Sequence, residues 1–77
     1  MLKNEEILFL KDVGVNIRQL RGSLNLSQET LSFDADIPRN QIGRIERGEI
    51  NTSLVTLLKI SKALKVSVND LLKTNQY

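Results

Sequence analysis

Seventy-seven residues leave room for one domain with a small core, so association between copies is an expected way of burying apolar surface. Hydrophobic residues make up 40% and charged residues 26%, the balance of a folded globular domain rather than a disordered tail. The absence of Cys and His excludes disulfide frameworks, thiolate zinc sites and Cys/His nucleophilic dyads, while the net charge of +2 permits a nucleic-acid partner without demanding one.

The chain begins without the basic segment and small-residue cleavage site of a secretory signal. Its first apolar run, 7–10, is far too short to span a bilayer and is flanked by Glu5, Glu6, Lys11 and Asp12. A cytoplasmic protein with no membrane partner is expected. No paired acid/base constellation stands out, so neither an enzyme nor a metal or other cofactor is expected.

Apolar residues recur at helical spacing almost throughout, and five helices are predicted. The first starts at Asn4, whose side chain can cap, with Glu5 and Glu6 favouring the positive helix end. Ile7, Leu10, Gly14, Ile17, Arg21 and Leu24 share a stripe, with Leu20 beside it. Asn25 stops the helix, since Asn tolerates the left-handed conformation of a helix exit. Gly14 is a point where the segment can kink or split, which would leave 4–11 as a separate arm. The expected organisation is an N-terminal helical extension over 1–12, a main domain over 13–73 and a frayed end over 74–77.

The second helix opens at Ser27, a capping hydroxyl, and runs to about Phe33 with Leu31 inward. Asp34, Ala35 and Asp36 form the turn. The third begins near Pro38, which suits a first helical position because its missing N–H would be unpaired there. It ends at Gly48, with Ile42 and Ile45 on one side. The fourth follows Ser53 and carries Leu54, Leu57, Leu58, Ile60, Ser61 and Leu64. The fifth starts at Ser67, with Asp70 placed as in a capping box. Ile17, Leu20, Leu31, Ile42, Ile45, Leu57, Ile60 and Leu64 are the expected core. Leu71, Leu72, Tyr77 and part of 7–10 exceed what so small a core needs. They either cover their own domain or mark a subunit interface.

The informative stretch is 27–47. Two short helices are joined by a tight turn, and the second presents Arg39, Asn40, Gln41 and Arg44. Arg can donate two bonds to guanine, and Asn or Gln can match the donor and acceptor of adenine. A polar outer face is by default only a solvated surface. Its position on this helix turns the reading toward DNA.

Three strings carry a resemblance: Ile17-Arg18-Gln19-Leu20-Arg21, Leu26-Ser27-Gln28-Glu29-Thr30-Leu31 and Ile42-Gly43-Arg44-Ile45-Glu46-Arg47-Gly48. With Leu54, Leu57, Leu58, Ile60, Ala63, Leu64, Val66, Ser67, Leu71 and Leu72 following in order, the chain resembles the lambda repressor/Cro-like helix-turn-helix family over 13–73. That family includes regulators of the xenobiotic-response-element type. The resemblance implies an all-α, compact five-helix domain, commonly dimeric, that binds operator DNA. Its members include phage repressors, restriction-modification controllers and antitoxins. It further implies that Gln28 touches the DNA backbone and buttresses the recognition helix, and that Arg21 pairs with Glu46.

Three positions depart from the family pattern. Pro38 stands where Ser or Thr is usual, which puts a phosphate contact there in doubt. Asp36 replaces a turn Gly, and Lys65 replaces a Gly after the fourth helix.

The expected function is sequence-specific binding of double-stranded DNA, at a palindromic operator and as a homodimer, in transcriptional repression. The recognition helix spans about 38–47. Arg39, Asn40, Gln41 and Arg44 are the candidate base readers. Gln28, Arg47, Asn51 and Thr52 are the candidate phosphate contacts, and Arg18 is read as merely solvated. The alternative is the same fold used as an antitoxin or other interaction module that docks a partner protein such as a toxin.

Overall fold

The computed structural model describes residues 1–74, so the expected fraying of 75–77 and the interface role of Tyr77 lie outside the described residues. Among these residues five helices follow one another: α1 (Asn4–Ser23), α2 (Gln28–Ala35), α3 (Arg39–Glu46), α4 (Leu54–Leu64) and α5 (Val68–Leu72). The described residues contain no strand. The all-α expectation is met, and α1 packs on α3 and α5 while α2 packs on α3 and α4.

Helix α1 is continuous through Gly14, so 4–11 is no separate arm, and the expected boundary at 12/13 falls inside the helix. Gly14 is there for packing. A side chain added to it would come within 2.6 Å of the Ile45 carbonyl oxygen and 2.8 Å of the Glu46 carbonyl carbon. Only a bare Cα lets α1 lie directly against the end of α3. The N-cap is Lys3 rather than Asn4, and the Glu6 carboxylate accepts from the Lys3 N–H at 2.8 Å. The exit matches expectation. Asn25 takes a left-handed φ of 57° and donates its N–H to the Gly22 carbonyl at 3.0 Å.

Helix α2 runs two residues past Phe33, because Ala35 buries against the core and continues the apolar face. The turn is therefore 36–38 rather than 34–36. Asp36 carries the left-handed conformation (φ 56°), which a short polar side chain tolerates where Gly is usual. Pro38 is not the first helical residue but the N-cap, with an extended ψ of 139°, and its carbonyl accepts from the Gln41 N–H at 3.0 Å. Helix α3 stops at Glu46, and Gly48 (φ 70°) turns the chain away. Ser27, Ser53 and Ser67 cap the other helices through their hydroxyls, and Asp70 completes the capping box at Ser67. Lys65 leaves α4 in the left-handed conformation at φ 60°, where Gly would cost less.

The core comprises Val13, Ile17, Leu31, Ala35, Ile37, Ile42, Ile45, Leu57, Ile60, Leu64 and Leu71. Leu20, expected in it, is only partly buried against its edge. Leu71, expected among the surplus apolar residues, is fully buried and is core. The short helix that carries Leu71 is held by Asn16, whose side-chain amide donates to the Leu71 and Lys73 carbonyls at 2.9 and 2.8 Å. The end of the chain is tied as far as Thr74, whose hydroxyl donates to Asp12 at 3.5 Å. Among the described residues, no helix is long and apolar enough to cross a membrane.

Candidate nucleic-acid interface

The turn at 36–38 sets α3 across α2, and burial fixes which side of α3 faces out. Ile42, Gly43, Ile45 and Glu46 are buried. Arg39, Asn40, Arg44 and Arg47 are exposed, and Gln41 is half-buried. Gln41 is thus the least available of the four base-reading candidates. The exposed face holds two-pronged donors near the start of the helix, where side chains of a helix laid in the major groove meet base edges.

Gly43 organises this face. A side chain there would lie 3.1 Å from Arg47 Nη1, 3.6 Å from Gln28 Oε1 and 3.8 Å from Arg39 Nη1. Three of the residues singled out for DNA contact therefore gather over one glycine. The sequence offered a signal, a Gly inside a helix of only eight residues, but did not say what the space was for.

Beneath the face lies a charged tie. Arg21 forks onto Glu46, with Nε to Oε2 at 2.6 Å and Nη2 to Oε1 at 3.0 Å, while its Nη1 donates to the Leu26 carbonyl at 2.8 Å. The Gln28 amide also donates to Glu46 Oε1 at 2.9 Å. The Glu46 side chain is 3% exposed and that of Arg21 16%. A charge so nearly buried is tolerable only when its acceptor sites are filled, and here three donors fill them. The hydrogen bond to Glu46 holds Arg21 above its ordinary pKa, against the opposing effect of partial burial. The tie fixes the end of α3 to α1 and the start of α2 at once. Gln28 therefore has two faces: its amide nitrogen is committed to Glu46, while its place at the start of α2 leaves backbone N–H groups for an anion.

The remaining phosphate candidates fare unequally. Arg47 is exposed but grips Glu49, with Nε to Oε2 at 2.7 Å. Asn51 is exposed, yet it lines a groove with Leu2, Glu5, Glu6, Phe9 and Leu10, where a phosphate would meet two carboxylates. Among the described residues the hydroxyl of Thr52 is buried without a hydrogen-bond partner, so it is not presented to a ligand. Arg18 is exposed on α1. Among the described residues, no cluster of acidic side chains is arranged to hold a metal ion.

A tight helix–turn–helix, a polar outer face on its second helix and a buried tie beneath define a class of DNA-binding regulators of transcription. The family model described as helix-turn-helix matches residues 17–71, and the chain belongs to that family. Within it, the chain is 48% identical over 73 residues to control protein C.BamHI of Bacillus amyloliquefaciens, covering 94% of this chain and 85% of the relative. It is 46% identical over 57 residues to control protein C.SmaI of Serratia marcescens, covering 74% and 68%. The solved structure of the restriction-modification controller protein C.AhdI from Aeromonas hydrophila superposes with a TM-score of 0.79 at 42% identity, over 80% of this chain and 94% of that one. These relatives are regulators rather than enzymes. They place the chain beside restriction-modification controllers, not beside the xenobiotic-response-element type named from sequence.

Proposed function

We propose that the chain is the control protein of a restriction-modification system, binding double-stranded DNA as a homodimer with α3 in the major groove. The outer face of α3 carries the DNA reading. Arg39, Asn40 and Arg44 stand exposed on a helix whose inner side is anchored by the core and by Glu46. The narrower assignment is supported by the likeness to control proteins along most of the chain. That likeness lends no support to a toxin partner.

A regulator bound across a promoter blocks the polymerase, and repression in the cytoplasm is the mode proposed. The base-reading candidates are Arg39, Asn40 and Arg44, with Gln41 behind them. Gln28 and Arg47 are the phosphate candidates that the geometry favours over Asn51 and Thr52. Exposed apolar residues for a subunit contact stand on α1, at Ile7 and Leu8, and on α4, at Leu54, Val55 and Leu58.

An eight-residue reader covers only a few base pairs, so specificity requires two copies. Two protomers should therefore occupy one duplex, with half-sites about one helical turn apart, ~34–36 Å between centres. Sedimentation of the free chain and of its complex with a duplex selected from a random pool checks this. A stable one-to-one complex on a site without two-fold symmetry would contradict the dimeric reading.

A further inference from the structure

Glu49 is an acidic residue set among the cations at the end of α3. Its carboxylate accepts from Arg47 Nε at 2.7 Å and Nη2 at 3.3 Å, and Arg44 Nε lies 3.9 Å away. Two parallel N–H···O bonds from one edge of a guanidinium are the geometry with which Arg takes a phosphate. The pair is exposed, but its position is built into the backbone. The Glu49 N–H donates to the Arg44 carbonyl at 2.9 Å, and the Gly48 N–H to the Ile45 carbonyl at 3.0 Å. Gly48 takes its left-handed turn against Lys11, whose backbone nitrogen would lie 2.8 Å from any side chain added there. These bonds fix the backbone of Glu49 next to Arg47, and its side chain, 47% exposed, closes the pair.

We propose that Glu49 is an intramolecular stand-in for a DNA phosphate, occupying the anion grip of Arg47 and lowering the attraction of this face for DNA of any sequence. The inference rests on the DNA-binding reading of α3. A phosphate reaching Arg47 must displace a carboxylate already in the grip, so the contact returns less than a free Arg would give. Arg44 feels the same negative charge from further away. Sequence-independent attraction is what these cations supply and what Glu49 subtracts. Residence on DNA then leans more heavily on base contacts from Arg39 and Asn40.

The test compares wild type, Glu49→Gln, Arg47→Ala and the double variant on two probes: a duplex selected from a random pool by the wild-type chain, and a scrambled duplex of the same composition. Affinities are taken over a range of salt. Glu49→Gln keeps the size of the side chain and removes its charge. It should tighten binding to both duplexes by up to about fivefold, the scale of an exposed ion pair, and steepen the salt dependence by up to ~0.9, the slope expected when one more phosphate is neutralised. In the Arg47→Ala background most of that tightening should vanish. Unchanged or weaker binding by Glu49→Gln would overturn the proposal. So would an equal tightening without Arg47, which bulk charge alone would give. If the wild-type chain binds neither duplex, the DNA reading itself falls, an outcome distinct from failure of the Glu49 variant in a chain that binds.

Discussion

Arg21→Met should destabilise the domain by about 3 kcal/mol, the lower end of the cost of breaking a buried ion pair, because Arg21 keeps some contact with solvent. The loss arises mainly from what stays behind. Glu46, 3% exposed, would lose both guanidinium bonds and keep the Gln28 amide as a donor, and the Leu26 carbonyl would lose its guanidinium partner. Glu46→Gln should cost less, about 1–3 kcal/mol, since it leaves a neutral amide that can still accept from Arg21. In the double variant neither charge remains, so the combined loss should fall well short of the sum of the two. Thermal unfolding reads this easily in a domain of this size, at roughly 4–8 °C per kcal/mol. Strictly additive losses would mean that the two side chains are not coupled.

Gly14→Ala should be the next most damaging change. The added methyl group would meet the Ile45 and Glu46 carbonyls, which are backbone at the end of α3 and cannot swing aside as a side chain would. Overpacking usually costs about 1–3 kcal/mol, and a backbone obstacle places this site at the upper end. The same shift of α1 would pull Arg21 away from Glu46, so DNA binding should weaken along with stability. Gly22→Ala is the internal control. It lies on the same helix with open space around it, and exchanging Gly for Ala in a helix favours folding by up to ~1 kcal/mol. Equal losses at the two glycines would show that packing against α3 is not what Gly14 provides.

Much of the fold was legible because this sequence writes its helices in capping residues. Ser27, Ser53 and Ser67 each stand one residue before a helix, and each accepts the backbone bond expected of a cap. Apolar spacing located most of the core but missed Ile37, which sits in the turn outside any periodic pattern and is nevertheless buried. Asp34 and Asp36 read as turn residues, while the burial of Ala35 carries α2 between them. Leu71 looked surplus because a five-residue helix carries too little pattern to show its inner side. Gly14 looked like a break for a related reason: sequence shows the helical cost of a Gly but not the neighbour that requires it.

The site divides in the same way. Residue types and the helix-turn-helix pattern single out Arg39, Asn40, Arg44 and Arg47, and all four are exposed on α3 or at its end. Sequence did not show that Gln28 is partly committed to Glu46, that the Thr52 hydroxyl is buried, or that Glu49 occupies Arg47. Each depends on how side chains separated by a turn or a helix come together, and residue type and spacing do not encode those packing angles.

That α3 reads DNA is tested most directly by selecting duplexes from a random pool with the wild-type chain and with Asn40→Ala, side by side. The wild-type chain should recover a two-fold repeated sequence. Asn40 sits in the first turn of α3, so its loss should relax preference at one base pair in each half-site, costing about 1–3 kcal/mol on the wild-type sequence and little on a scrambled duplex. Arg47→Ala, run beside it, should weaken both duplexes by the same factor. Recovery of no preferred sequence by the wild-type chain, or an Asn40→Ala variant that lowers every affinity equally while Arg47→Ala changes the preferred base, would contradict the assignment of α3 as the reading helix.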